Sequence, residues 1–168
     1  SFTAASNNFE LAIAVAVGFA IPAVGYISIV GSLDGIFAFF VLPFLLYGFM
    51  LGLSLEAPDI EVDRLGNKKN IGARMGERVV FGLVLVASLA AFAIFGFLYR
   101  LVAIAVVNFW VVTFFAAIPL AAGILGFICV IRKNKTDIFS AVNVASLFIF
   151  NSVMIVYLIF LIVYPYSL

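Results

Sequence analysis

The sequence predicts an all-α, polytopic membrane protein with five transmembrane helices, and three observations predict it. Of its 168 residues, 67% are hydrophobic and 10% charged. An ordinary soluble domain is roughly half apolar and one quarter charged, so no water-soluble core could hide this surplus. The apolar residues gather into five runs of 20 residues or more, about the length a helix needs to cross roughly 30 Å of hydrocarbon. Strand-type alternation is missing, and the runs far exceed the ten or so residues of a barrel strand.

The first span covers about Phe9 to Val30, with Ala12, Ala16 and Ala20 at the four-residue spacing that lets helix backbones approach closely. The second, Ile36 to Leu55, carries the same device in Gly48 and Gly52. Val79 to Leu98 forms the third. The fourth, Val107 to Ile131, belongs to a 31-residue apolar stretch beginning at Leu101. Fully helical, that stretch would reach about 46 Å, so its first residues are expected in the interface and Pro119 is expected to kink the span. Ile138 to Tyr164 forms the fifth. Asn108, Asn143 and Asn151 are polar groups in apolar surroundings and should face protein or a cavity rather than lipid. Asn143 and Asn151 lie eight apart, roughly on one face of the last helix, a spacing read here as interhelical hydrogen bonding.

Charge orients the spans. The connectors Ala57 to Arg78 and Arg132 to Asp137 hold eight of the nine basic residues. Five spans put both connectors on one side, which the positive-inside rule makes cytoplasmic. The N-terminus is then cytoplasmic and the C-terminus outside, in the inner or plasma membrane if the source is prokaryotic.

Histidine is absent, which excludes imidazole metal ligands, Ser-His-Asp hydrolysis and His proton relays. Cys129 lies in an apolar run, can form no internal disulfide and reads as a small buried hydrophobe. A net charge of +1 argues against a nucleic-acid partner. The chain opens on Ser1 with no basic n-region or cleavage site before the first apolar run, an expectation of processing or truncation.

Ten of the seventeen charged side chains fall between Glu56 and Arg78. Asp59 and Asp63 are four apart, so on a helix they share a face and can present two carboxylates to one divalent cation. Glu56, three before Asp59, can join that face. Paired hard oxygens with cations close behind suit Mg²⁺ plus a diphosphate, because a bare carboxylate pair would repel such a substrate. The same residues also suit a solvated loop in which Pro58, Asp59 and Glu61 open a short helix, acids first and cations later, as the macrodipole favours. An EF-hand is discarded, since Arg64 stands where that loop requires Gly and Asn70 where it requires a bidentate Glu.

The string Asp59-Ile60-Glu61-Val62-Asp63-Arg64, followed by Gly66, Lys68-Lys69 and Arg74-Met75-Gly76, resembles the second aspartate-rich segment of the UbiA superfamily of intramembrane prenyltransferases. The preceding segment, with Pro22, Gly25, Tyr26 and the Gly31-Ser32-Leu33 turn, is also similar to that family. The resemblance implies a nine-helix fold with aspartate-rich loops after its second and sixth helices. Two spans before the loop and three after it make this chain resemble helices five to nine, a fragment of a larger domain. The N-D-x-x-D-x-x-x-D-like segment of the other half is absent from these residues.

By resemblance, Asp59 and Asp63 bind the Mg²⁺ that holds a polyprenyl diphosphate, and Lys68 and Arg74 contact the diphosphate. The activity implied is transfer of the prenyl group to an aromatic or other lipophilic acceptor within the lipid bilayer, with the N-terminal half of the same domain as partner. One departure is that Leu55 stands where many members carry a polar or acidic residue, with Glu56 displaced by one. A non-catalytic membrane binding or assembly module that keeps the loop for stability is the alternative. A transporter fragment fits less well, since the acids cluster at a membrane edge rather than mid-span.

Overall fold

The computed structural model describes residues 35–68, 70–101, 108–132 and 137–163, together with Ile27 and Gly31. The expected first span, Phe9 to Val30, lies outside the described residues apart from Ile27, and so do Lys69 and Leu101's neighbours 102–107. Among the described residues every regular element is helical. Four stretches, Val41–Leu65, Glu77–Arg100, Phe109–Ile131 and Asp137–Tyr157, are long and apolar enough to cross a membrane.

Helix α1 (Gly35–Glu56) runs through Pro43 and gives way to a 3₁₀ turn, Ala57–Asp59, with Pro58 near its start. Two short helices follow, α2 (Ile60–Leu65) and α3 (Ile71–Met75). Helix α4 (Glu77–Leu101) has Glu77 in its first turn and Arg100 in its last, each sign matched to the helix dipole. Helix α5 (Phe109–Ile131) is capped by Asn108, whose side chain accepts from the Trp110 N–H at 3.0 Å. Pro119 is buried within α5, and the helix continues on both sides of it. Helix α6 (Asp137–Val163) carries Asp137 in its first turn.

These bounds agree with the expected spans to within three residues. In the connector the short helix read at Pro58, Asp59 and Glu61 is present, and the described residues between Glu56 and Arg78 add a second one to form a folded cap. Pro58 presets the backbone for a helix start, and the acids Glu61 and Asp63 precede Arg64 in α2.

The long helices pack in a ring, α1 on α4, α4 on α5, α5 on α6 and α6 back on α1. The ring is filled by Met50, Phe81, Val84, Phe95, Ala116 and Phe150, all essentially inaccessible. Aromatic edges organise its middle. Tyr47 meets Phe150 at 5.0 Å between centroids, Phe95 lies 5.9 Å from Phe150, and Phe44 meets Phe95 edge-on at 5.8 Å. The opposite faces expose Leu89, Phe97, Phe114, Phe148 and Val156, as helices bathed in hydrocarbon should.

Close backbone approach occurs at Gly123 and Gly126 on α5. A Cβ at Gly126 would meet the Phe81 ring at 2.8 Å, and one at Gly123 would meet Ser88 Oγ at 2.7 Å. Gly48 and Gly52, singled out by their spacing, are only half-buried. Cys129 is buried, as its apolar run predicts.

The three asparagines behave differently from one another. Asn108 is exposed at the helix start, where its own N–H donates to Tyr157 Oη at 2.8 Å and so ties α5 to the far end of α6. Asn151 is exposed and donates to the Leu147 carbonyl of its own helix at 2.8 Å. Asn143 is fully buried. Among the described residues neither makes the expected interhelical bond, since Asn151 turns to its own helix and the Asn143 amide has no partner; eight residues at about 100° each also set the two side chains some 80° apart. Tyr99 stacks on Trp110 at 5.3 Å, both exposed, in the manner of an interfacial aromatic belt.

Candidate functional site

The charged cap is built by two chain reversals. The first closes α2. The Lys68 N–H donates to the Asp63 carbonyl at 2.9 Å and the Asn67 N–H to the Arg64 carbonyl at 3.2 Å, with Asn67 left-handed at φ 54°. This is a Schellman closure, with asparagine taking the place usually given to glycine. Its consequence is chemical, because it folds Lys68 back over Asp63. Lys68 Nζ lies 2.5 Å from Asp63 Oδ1.

The second reversal opens and closes α3. Asn70 is its N-cap, with Oδ1 accepting from the Ala73 N–H at 2.8 Å. The same side chain turns its Nδ2 to Asp63 and donates to Oδ2 at 2.6 Å. Gly76 ends the helix at φ 80°, its N–H donating to the Gly72 carbonyl at 2.8 Å. Arg64 Nε reaches across to the Ala73 carbonyl at 3.3 Å. Gly72 is where α3 meets α2, since a Cβ there would lie 2.8 Å from Ile60 Cγ1.

Asp63 is thus the hub of the cap. It is 2% exposed, and a carboxylate so placed demands charge and hydrogen bonds in return. Asn70 supplies the bond to Oδ2. Oδ1 is met by the Lys68 ammonium. Ala57, Ile60 and Asp63 form the buried face of this segment, while Asp59, Glu61, Val62 and Arg64 are exposed.

Of the four residues named from the sequence, Asp63 and Lys68 are brought into contact, and Asp59 and Arg74 are exposed at the surface of the cap. Glu56, at the end of α1, faces the Gly72 amide and feels the Asp63 charge. Its Oε2 is shut away from solvent without a hydrogen-bond partner. On the other side of the cap Glu77 lies within electrostatic range of Asp137 and Glu61.

Asn70 and Gly72 are the site residues that sequence reasoning passed over. The signal was present, since Asn70 five residues ahead of Met75-Gly76 is an N-cap and closing glycine around a single short helix.

Hard oxygens with adjacent cations suit a small hard ion and its phosphate ligands. Among the described residues no three acids or thiols gather into a cage for a metal. The donor chemistry of Asp59, Asp63 and the orphaned Glu56 Oε2 fits Mg²⁺ only where further oxygens come from phosphate, water or another segment, which is how that ion is commonly held. No protein family, known protein or solved structure matches the chain.

Proposed function

We propose that this chain is the C-terminal half of a UbiA-type prenyltransferase, which moves a polyprenyl group from its diphosphate to a lipophilic acceptor inside the bilayer. The observation that carries the reading is the Asp59-to-Gly76 cap, a pattern of acids and cations resembling that family's, seated at the end of a ring of membrane-spanning helices. In this reading the cap faces the cytoplasm, as its basic residues favour.

Asp59, at the surface of the cap, and Asp63, inside it, would hold the Mg²⁺, and the ion would supply charge to stabilise a departing diphosphate. Lys68 is one-third exposed on a flexible stem, so it can leave Asp63 Oδ1 and turn to a phosphate oxygen without unfolding the cap. Asn70 keeps Asp63 in place through that exchange by its bond to Oδ2. Arg74, exposed on α3, adds a second cation. The apolar surroundings of the helices keep water from an allylic cation as it forms.

The test is prenyl transfer by the complete polypeptide with and without Mg²⁺, comparing Asp59→Ala and Asp63→Ala. Each variant is expected to lose at least a hundredfold in rate. Unchanged rates in both would overturn the metal assignment.

A second reading has its own support. Asp63 is already engaged by Lys68 and Asn70, as in a structural lock, and a non-catalytic membrane module would keep the cap for that reason. It predicts a folded protein that binds no prenyl diphosphate in equilibrium dialysis.

A further inference from the structure

Seven buried side-chain oxygen and nitrogen atoms among the described residues make no hydrogen bond, and four of them belong to Ser54, Ser140 and Asn143. Ser54 and Ser140 are each 2% exposed and Asn143 is 0% exposed. An unpaired buried amide costs a few kcal/mol of desolvation, and Asn143 leaves both Nδ2 and Oδ1 unpaired. Ser146 donates to the Asn143 backbone carbonyl at 2.7 Å and therefore leaves that amide unserved.

Helical register brings the three residues to one level of the bundle. Ser140 and Asn143 are three apart and share a face of α6. Helices α1 and α6 run antiparallel, with the Ala57–Asp59 turn against α6 and Tyr47 against Phe150. Two turns from that aromatic pair, in opposite chain directions, the register sets Ser54 opposite Asn143. Gly126 completes the wall from α5, since a Cβ there would lie 3.4 Å from Asn143 Nδ2. The cluster sits about 9 Å inside the bundle from Asp137, beneath the charged cap.

We propose that Ser54, Ser140 and Asn143 form a buried receptor for one small hydroxyl group. The chemistry selects the ligand. Two hydroxyls and a primary amide offer donors and acceptors together and no charge, so they complement a group that both donates and accepts. A cation would leave the amide hydrogens unmet, and an anion would leave Asn143 Oδ1 unmet. Water meets the requirement, and so does the hydroxyl of a lipophilic molecule entering from the bilayer. The site is independent of the prenyl-transfer reading, because none of its residues belongs to the acid and cation cap.

The complete polypeptide in lipid bilayers, labelled with ¹⁵N-asparagine, tests this by solid-state NMR. The Asn143 side-chain signal is assigned by its loss in Asn143→Leu. Magnetisation transfer from water to that amide supports the site with water as its occupant. If transfer is absent, phenol is titrated as the hydroxyl probe. A saturable shift of the Asn143 amide, weakened at least tenfold in Ser140→Ala and unchanged in Asn151→Leu, supports the site with a lipophile as its occupant. Neither transfer nor a saturable shift overturns the proposal. Ser140→Ala removes one small hydroxyl, so it keeps the test open should Asn143→Leu fail to fold.

Discussion

Replacing Asn70 by serine and by alanine separates the two jobs of that side chain. Serine caps a helix about as well as asparagine but is too short to keep the 2.6 Å bond to Asp63 Oδ2. Alanine gives up both that bond and the 2.8 Å cap on the Ala73 N–H. A hydrogen bond to a charged group contributes about 1.5–3 kcal/mol, and the acceptor here is a carboxylate 2% exposed, which favours the upper part of that range. A lost cap costs about 1 kcal/mol. Asn70→Ser is therefore expected to cost about 2–3 kcal/mol and Asn70→Ala about 3–4 kcal/mol, if the cap and the bundle unfold together. Reversible unfolding in mixed detergent micelles, followed by helical circular dichroism, measures both. A serine variant as stable as the parent, with alanine down by only about 1 kcal/mol, would show that Asn70 is a cap and that Asp63 does not depend on it.

Other expectations are more local. Gly126→Ala drives a methyl into the Phe81 ring and should cost about 1–3 kcal/mol in the same unfolding assay, whereas Gly82→Ala, with its nearest neighbour at 3.5 Å, should be nearly neutral. Tyr157→Phe removes the hydroxyl that accepts from the Asn108 N–H, and hydrogen exchange at that amide should quicken several-fold while α4 stays protected. In intact membranes, a maleimide should label Val62→Cys, at a position 69% exposed, at least tenfold faster than native Cys129 at 6%. Equal labelling would mean that α5 does not bury its thiol.

Much of the fold was legible because lipid imposes a simple code. A helix must satisfy its own backbone in hydrocarbon, so long apolar runs report both element type and length, and the ends of α4, α5 and α6 fell close to where hydropathy stops. The details that escaped are those in which one residue acts through a distant one. The close packing of Gly126 depends on Phe81 lying opposite, which no spacing within α5 reveals, while Gly48 and Gly52 have the favoured spacing and only partial burial. In the cap, Asp63 and Lys68 were legible only as separate parts of a charge-rich segment, one expected on a metal and the other on a diphosphate, and not as partners of each other. That Asn67 would take a left-handed conformation and swing Lys68 onto Asp63 depends on how α2 closes, and Gly66 next to it was an equal candidate for that role. Asp59 and Asp63 have helical spacing, but the turn at Asp59 and the packing of Ile60 on Gly72 decide that only Asp63 goes inside.

The aromatic packing at the middle of the ring has a consequence for traffic through the membrane. Met50, Phe81, Phe95 and Phe150 fill the space between the four described long helices. A long, flexible tail that reached the charged end past these four helices would lie along the outside of the ring, in the furrows between neighbouring helices. A substrate tail on such a path stays in contact with lipid for much of its length. Its length would then be limited by what borders the furrow, and selectivity for chain length would sit on the outward faces of the helices rather than in their core.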